Sequence, residues 1–360
     1  MNIIGQFFDS SGYAIHTRNL ANALSKYMEV SLITGLPNGW ERSATDKELE
    51  MIKRTPKNDI NLIITNPTHW RLHLNAKRNW VFLVWEGDKL PTHYLEECLN
   101  PKIEYVFVPS EHSKKALWNS YFSGEVEFNE NLDGKDKEFW DKVKIMSHGV
   151  DLDKFYSKNK PNKTVFVCNK GFRNLEDRGG IQYAIKAYLE EFTNEDVELL
   201  IKINPAYGVP DLNKIIQLFN LTDKSPKIKI NADLMDYNKL VDFYNQGNIF
   251  LAPTRAEAYN LGCIEAMACG LPVITTDFGG QTDYCNEENG WIISGELKEV
   301  ENELMYEGIK WLTPDIQQLR KCMREAYENK ELVKQKSENS IKTSQKNTWD
   351  HTAQLINSLI

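Results

Sequence analysis

Short runs of apolar residues alternate with segments of helical periodicity along most of the chain. The runs occupy residues 2–8, 30–34, 62–65, 80–85, 105–109 and 143–146, and then 164–168, 197–203, 227–230, 248–252, 271–275 and 290–293. Helical segments are predicted at residues 14–28, 110–121, 180–192, 212–219, 237–246 and 261–269, and from about 314 onward. Apolar runs without alternation, separated by helices, are typical of a parallel sheet covered on both faces. The pattern predicts an α/β protein with two doubly wound, Rossmann-like halves.

A polar stretch at residues 157–163 divides the two sets of elements. The chain has 360 residues, which is more than a single hydrophobic core usually organises. We therefore predict an amino-terminal domain over residues 1–156 and a carboxyl-terminal domain over residues 157–345. Two such domains facing each other would leave a cleft at the carboxyl ends of their strands, where open α/β sheets bind ligands.

Charge and cysteine content narrow the class of protein. Lys and Arg number 43 against 51 Asp and Glu, which gives a net charge of −8 and argues against nucleic-acid binding along the whole chain. A local basic pocket for one diphosphate remains compatible with this charge. The six cysteines form no CxxC pair or zinc-type spacing, so we expect reduced cysteines, no metal site and a cytoplasmic protein. No apolar run reaches the length of a membrane-spanning helix, and the first residues do not read as a secretory signal.

The segment at residues 252–274 carries the most informative chemistry. A buried strand ends, a loop holding Glu257 follows, and a helix begins near Asn260 and carries Glu265. Free N–H groups at such a helix start attract anions such as a diphosphate. Glu265 lies among apolar residues, so it needs a partner or hydroxyl groups that donate hydrogen bonds. A ribose diol offers two such donors, and a helix-dipole or salt-bridge role for Glu265 is the alternative.

Several motifs in fixed order make a family resemblance specific. The two glutamates, which are separated by seven residues, are followed by Ala266-Met267-Ala268 and a Gly-x-Pro-Val-Ile run. Three more segments match in order: V-P-S-E-H-S at 108–113, H-G-V-D-L-D-K-F at 148–155 and T-D-F-G-G at 276–280. Together they resemble the retaining family 4 glycosyltransferases of GT-B fold, also called glycosyl transferases group 1. The resemblance covers nearly the whole chain, and it implies that the last helix, about 346–360, crosses back to the first domain.

The resemblance implies roles for residues of the second domain. Glu265 would hold the ribose hydroxyls of a nucleotide-sugar, and Glu257 would contact the donor sugar. The remaining implied donor contacts are the backbone N–H groups of Tyr259, Asn260 and Leu261, and the cations Arg178, Arg173 and Lys170. These cations would neutralise the leaving diphosphate. The segment A-Y-N at 258–260 differs from the family's usual G-F-G.

Two implied positions lie in the first domain. Gly12, in the loop D-S-S-G-Y at 9–13, would let the backbone approach the phosphates closely. Glu86, in the segment W-E-G-D-K-L-P at 85–91, would bind or polarise an acceptor hydroxyl, or would be a structural carboxylate at a strand end.

The resulting expectation is a metal-independent transferase of glycan biosynthesis. It would move a hexose from a UDP- or GDP-linked sugar to an acceptor hydroxyl with retention of configuration, and it would need no further cofactor. The acceptor would be a glycan, a lipid-linked sugar or a protein, bound through loops such as 36–42 and 65–74. The alternatives are a non-catalytic binding protein on the same scaffold and a nucleotide-sugar epimerase. Lys114 and Lys115 would serve a peripheral membrane contact or simply a solvated helix face.

Overall fold

The computed structural model describes residues 1–9, 11–34, 44–123, 132–203, 212–222, 224–233, 235–301 and 304–360. Ser10 of the first loop and the expected acceptor loop 36–42 lie outside the described residues. The chain forms two compact units. Unit 1 comprises Met1–Gly149, Glu299–Lys310 and Thr348–Ile360, and unit 2 comprises Val150–Lys298 and Trp311–Asn347. The first boundary therefore falls after residue 149, where 156 was expected, and unit 1 includes a short segment, 299–310, that the sequence analysis had placed in the second domain.

Unit 1 is built around a parallel sheet with strand order β2-β1-β3-β4-β5-β6. Its strands are β1 (Asn2–Gly5), β2 (Ser31–Thr34), β3 (Ile60–Ile64), β4 (Arg78–Phe82), β5 (Tyr105–Val108) and β6 (Val143–Ile145). Its helices from the first part of the chain are α1 (Gly12–Leu24), α2 (Asp46–Lys53), α3 (Thr92–Cys98), α4 (Glu111–Tyr121) and α5 (Gly134–Trp140), with a 3-10 helix at Pro67–His73. Residues 60–64 are buried along the whole of β3, which is why this strand shows no apolar–polar alternation.

Unit 2 repeats the architecture with strand order β12-β11-β10-β7-β8-β9, again with parallel neighbours. Its strands are β7 (Thr164–Lys170), β8 (Val197–Ile203), β9 (Ile228–Asn231), β10 (Ile249–Ala252), β11 (Val273–Thr276) and β12 (Gly290–Ile293). Its helices are α6 (Ile181–Glu191), α7 (Leu212–Leu218), α8 (Leu240–Tyr244), α9 (Leu261–Ala268), α10 (Ile316–Glu328) and α11 (Lys330–Lys346). Two further strands, β13 (Gly295–Glu299) and β14 (Lys310–Pro314), pair with each other.

Local sequence signals account for several element ends. Ser110 was predicted to begin a helix, and its hydroxyl accepts a hydrogen bond from the Ser113 N–H at the start of α4. Gly270 was predicted to end a helix, and it follows α9 with a φ of +76°, which a residue without a Cβ adopts at no steric cost. The predicted helix 237–246 is a 3-10 turn, Tyr237–Lys239, that leads into α8.

The last helix, α12 (Trp349–Asn357), packs against α1 within unit 1. At its amino-terminal end Trp349 lies beside a buried histidine pair, His16 and His148, whose Nδ1 atoms are 2.5 Å apart. Burial lowers the pKa of His148 to about 3 and that of His16 well below its usual value. Both rings are therefore neutral at physiological pH and serve as packing elements.

Each sheet has one point at which the strand order reverses. In unit 1 the chain moves from β1 to β2 on one side and from β3 onward on the other, so the reversal lies between β1 and β3. In unit 2 it lies between β7 and β10. Loops that leave the carboxyl ends of neighbouring strands at such a point diverge and leave a crevice.

Candidate active site

Four predicted residues meet at the reversal point of the unit 2 sheet. Lys170 is the last residue of β7, whereas Glu257 and Asn260 follow the adjacent strand β10. The Lys170 Nζ lies 3.0 Å from Glu257 Oε1 and also donates a hydrogen bond to Asn260 Oδ1. The Arg178 Nη1 lies 3.4 Å from the other carboxylate oxygen of Glu257. Two cations from the end of β7 and the loop after it thus flank a carboxylate from the loop after β10.

Backbone contacts hold these two loops together. The Arg255 N–H donates to the Arg178 carbonyl at 2.9 Å, and the Arg178 Nη1 donates to the Ala256 carbonyl at 3.1 Å. Gly180 has a φ of +83°, and a Cβ at this position would lie 2.1 Å from the Pro253 carbonyl oxygen. Only glycine therefore lets the loop after β7 approach the loop after β10 this closely. The position of Arg178 beside Glu257 depends on that close approach.

The start of α9 keeps the backbone shape that the family's glycine would allow. Asn260 has φ 71° and ψ 68°, a left-handed conformation that asparagine tolerates better than most residues. Its side chain accepts from Lys170, and the Tyr284 hydroxyl lies 2.7 Å from its carbonyl oxygen. Asn260 makes no side-chain cap to the helix, which leaves the N–H groups of the first turn of α9 without that partner.

The charge balance of this cluster favours an ionised Glu257. Burial opposes its ionisation, but Lys170 and Arg178 outweigh that effect and lower the pKa of Glu257 below its usual value. The carboxylate thus stays charged near neutral pH. The two cations and one carboxylate leave a net positive charge beside the start of α9, and a helix start is itself favourable for an anion.

Glu265 lies on α9 and is almost fully buried, with 3% of its surface exposed. Its Oε1 accepts a hydrogen bond from the Tyr237 hydroxyl at 2.7 Å, and its Oε2 accepts from the Tyr244 hydroxyl at 2.9 Å. Asn169 in turn donates to the Tyr244 hydroxyl at 2.9 Å. Burial raises the pKa of Glu265 to about 7, although both tyrosine hydrogen bonds act in the opposite direction.

The hydroxyl donors that Glu265 needs were expected, but their source was not. Tyr237, Tyr244 and Asn169 lie more than twenty residues away from Glu265 along the chain, so no spacing in the sequence could have linked them to it. The only feature of the sequence that indicated a need for hydroxyl donors was the apolar surroundings of Glu265 itself.

Three further residues were predicted to contact the donor, namely Leu261, Tyr259 and Arg173. Leu261 is the first residue of α9, and the Tyr259 side chain is buried, with its ring 5.0 Å from that of Tyr284. Arg173 lies in the loop after β7, where its Nε is 3.7 Å from an Asp177 oxygen. Arg173 thus pairs with Asp177, whereas Lys170 and Arg178 pair with Glu257.

The two remaining predicted residues belong to unit 1. Gly12 is the first residue of α1, at the reversal point of that sheet, and a Cβ added there would meet open space. Glu86 follows β4, and its Oε1 accepts a hydrogen bond from the Tyr306 hydroxyl at 2.7 Å. The Tyr306 ring stacks on Trp85 with centroids 5.2 Å apart. Tyr306 comes from the segment 299–310 and lies 220 residues along the chain from Glu86, so no spacing in the sequence links the two.

The described residues also bear on two other classes of site, a membrane span and a metal centre. Across those residues, no helix combines the length and apolar character that a membrane crossing requires. In the same part of the chain, His, Cys, Asp and Glu side chains form no group of three or more that could hold a metal ion.

Part of the chain matches a known protein family, and the whole fold is similar to solved structures. Residues 166–306, which include Lys170, Arg178, Glu257 and Glu265, match the family model described as glycosyl transferases group 1. The structure is similar over 99% of its length to a sucrose-phosphate synthase from Thermosynechococcus elongatus, with a TM-score of 0.68, 17% identity and 97% of that chain covered. It is also similar to Anabaena HepE in complex with UDP and glucose, with a TM-score of 0.66, 14% identity and coverage of 99% and 98% of the two chains.

The chain is also similar in sequence to a curated glycosyltransferase. The chain is 22% identical over 233 residues to the lipopolysaccharide core biosynthesis mannosyltransferase LpsB of Rhizobium meliloti, which is 59% of this chain and 65% of the relative. The match thus spans slightly less than two thirds of that relative's length. The predicted fold class is confirmed as GT-B with two Rossmann-like domains, and residues 166–306 match the glycosyl transferases group 1 model.

Proposed function

We propose that this protein is a glycosyltransferase that moves a sugar from a nucleoside diphosphate sugar to an acceptor hydroxyl. The observation that carries the proposal is the cluster of Lys170, Arg178, Glu257 and Asn260 at the reversal point of the unit 2 sheet. This cluster provides positive charge and a helix start beside a carboxylate, within a glycosyl transferases group 1 domain. It suits a ligand that carries both a diphosphate and a polyhydroxylated ring.

The chemistry of transfer explains the choice of side chains. Breaking a bond between a sugar and a diphosphate leaves negative charge on the departing phosphate oxygen. Fixed cations and helix N–H groups stabilise that charge as it develops. Lys170 and Arg178 would serve the diphosphate, while the ionised Glu257 between them would accept hydrogen bonds from hydroxyls of the donor sugar.

Glu265 would bind the ribose of the nucleotide. A buried carboxylate that already accepts two hydroxyl hydrogen bonds has the chemistry that a ribose diol requires. We propose a UDP- or GDP-linked donor that needs no metal or other cofactor, with UDP supported by the nucleotide in the Anabaena structure. We further propose retention of configuration and transfer of a hexose. An acceptor contact for Glu86 and a close backbone approach to the phosphates at Gly12 stay predictions.

A panel of nucleotide sugars tests the proposal. The melting temperature is measured with UDP-glucose, UDP-N-acetylglucosamine, GDP-mannose and the free nucleotides, because a ligand that binds only the folded state raises it by mass action. The donor with the largest shift is then incubated in labelled form with candidate acceptors. Product of retained anomeric configuration, observed by NMR, is expected. Saturable binding without any product would instead favour the non-catalytic binding protein.

A matched pair of variants separates a direct role of Glu257 from general loss of a buried charge. Glu257→Gln removes the carboxylate between Lys170 and Arg178, and it should lower the rate of transfer at least tenfold. The control is Glu198→Gln, because Glu198 is also buried in unit 2 and paired with lysines, but near the amino end of β8. If Glu198→Gln slows transfer as much as Glu257→Gln does, Glu257 has no special role in the reaction.

A further inference from the structure

The two tyrosines that hold Glu265 differ in accessibility. Tyr244 is fully buried, and its hydroxyl also accepts the Asn169 side chain. Tyr237 is only partly buried and stands on a 3-10 turn before α8. Its hydroxyl covers Glu265 Oε1 at 2.7 Å. A ligand that reaches this carboxylate must therefore approach from the side of Tyr237.

Glu265 has little room for an additional partner in this arrangement. Only 3% of its surface is exposed, and each of its oxygens already accepts one hydroxyl. The approach beside Tyr244 is closed by burial. The Tyr237 hydroxyl lies on the accessible side of Oε1, so a ribose hydroxyl that approaches Oε1 from this side meets the position that Tyr237 occupies.

We propose that the Tyr237 hydroxyl occupies the hydrogen-bonding position on Glu265 that a ribose hydroxyl takes when the nucleotide binds. Nucleotide affinity is then set by the exchange of one hydroxyl for the other, which makes Tyr237 a residue that tunes donor affinity. The inference rests on the proposed function, because it assumes that Glu265 receives a ribose.

The exchange also explains how a carboxylate can stay buried before the ligand arrives. A buried carboxyl group without hydrogen-bond donors would be costly, and Tyr237 supplies one donor in the ligand-free protein. When the nucleotide binds, the number of hydroxyl donors on Glu265 does not change. The hydrogen bond that Tyr237 withdraws from Oε1 is thus replaced by one from the ribose.

The variant Tyr237→Phe tests the exchange without removing the ring. The ring lies 5.3 Å from that of Phe155, and the Lys154 ammonium lies 5.8 Å from its centroid, so the aromatic packing persists. Dissociation constants of wild type and variant are measured by calorimetry for UDP, GDP and the corresponding 2′,3′-dideoxynucleoside diphosphates. For the nucleotide that binds, we expect Tyr237→Phe to tighten binding by about three- to tenfold, the range of one net hydrogen bond.

The dideoxynucleotide makes the test specific. It has no ribose hydroxyl to compete with Tyr237, so its affinity should be the same in wild type and variant. An equal gain for both nucleotides, no gain for either, or weaker binding by the variant would overturn the proposal, since Tyr237 would then merely pack or hold Glu265 in place. If neither UDP nor GDP binds the wild type or the variant, the proposed function fails together with the exchange.

Tyr244→Phe is the matched control. It removes the same kind of hydroxyl from the other oxygen of Glu265, but at a position that no ligand reaches. We expect a lower melting temperature and no gain in nucleotide affinity for this variant. A gain as large as that of Tyr237→Phe would contradict the exchange, because it would show that loss of either hydroxyl simply frees the carboxylate.

Discussion

Replacing Glu265 by Gln should make the protein more stable at neutral and alkaline pH. Glutamine has nearly the shape of glutamate and can still pair with the hydroxyls of Tyr237 and Tyr244, but it has no charge to bury. The wild-type carboxyl group has a pKa of about 7, raised by burial from an ordinary value of 4.5. The folded protein thus holds a proton on Glu265 over a pH range in which the unfolded chain has released it.

The sign and size of the effect follow from this difference in pKa. Below pH 4.5 the carboxyl group is protonated in both states and carries no penalty. Between pH 4.5 and about 7 the unfolded chain releases the proton while the folded protein keeps it, so stability falls over this range, and the loss is complete above about 7. One pKa unit is about 1.4 kcal/mol, so a rise from 4.5 to about 7 corresponds to roughly 3 kcal/mol. The Glu265→Gln variant does not undergo this loss, because glutamine does not ionise.

Urea unfolding followed by tryptophan fluorescence measures the effect. The free energy of unfolding of variant and wild type is compared at several values between pH 4.5 and pH 8.5, so that all other titrating groups cancel in the difference. The advantage of the variant should grow by roughly 3 kcal/mol across this range. A difference that stays constant with pH, or that shrinks as the pH rises, would refute the reasoning.

Three further results are expected. Lys170→Met should lower the free energy of unfolding by about 2 kcal/mol in denaturant titrations, the range of a hydrogen bond to a charged group, because Glu257 keeps only Arg178 as a cationic partner. The low pKa of His148 predicts that this residue contributes a fall in stability of about 2 kcal/mol between pH 6.5 and pH 5, since the unfolded state binds the proton there; His148→Gln should reduce the fall by about this amount, while the buried His16 continues to contribute. Tyr306→Phe should raise the KM for the acceptor while the donor Kd stays unchanged, if Glu86 contacts the acceptor; a change in donor Kd alone would contradict that role.

The positions of the central strands could be predicted because these strands are buried on both faces, whereas the exposed strand β13 was not predicted. Runs such as residues 60–64 have no alternation. Lys170 is the last residue of β7, and Glu257 lies in the loop after β10. The strand order could not be predicted from these runs. It is the order that makes β7 and β10 neighbours and thereby brings the two residues together.

The surroundings of Glu265 show where sequence reasoning stops. A carboxylate among apolar residues indicates that hydroxyl donors are needed, but it does not indicate which ones. Tyr237 and Tyr244 reach Glu265 from a different helix and turn, through contacts that follow no periodic rule. The same holds for Tyr306, which reaches Glu86 across 220 residues of chain.

The segment 258–260 illustrates a substitution that the local geometry explains. Asn260 replaces a glycine of the family pattern, yet it keeps the left-handed conformation, and its side chain binds Lys170. Among the described residues other than glycine, positive φ angles occur at Ser123, Asn220 and Asn260, so Ala258 and Tyr259 need no such freedom. The side chain of Tyr259 is buried, so its bulk is accommodated within unit 2.

The most direct test of the central claim compares the affinities of UDP and uridine, and of GDP and guanosine, for wild type and Arg178→Gln. Arg178 is partly exposed and carries charge that the account assigns to the diphosphate. For the nucleotide that binds, its loss should weaken diphosphate binding by about 10- to 100-fold, the range of a hydrogen bond to a charged group, and leave the nucleoside unaffected. Equal weakening for nucleotide and nucleoside, or unchanged affinity for the diphosphate, would contradict a diphosphate site at this cluster.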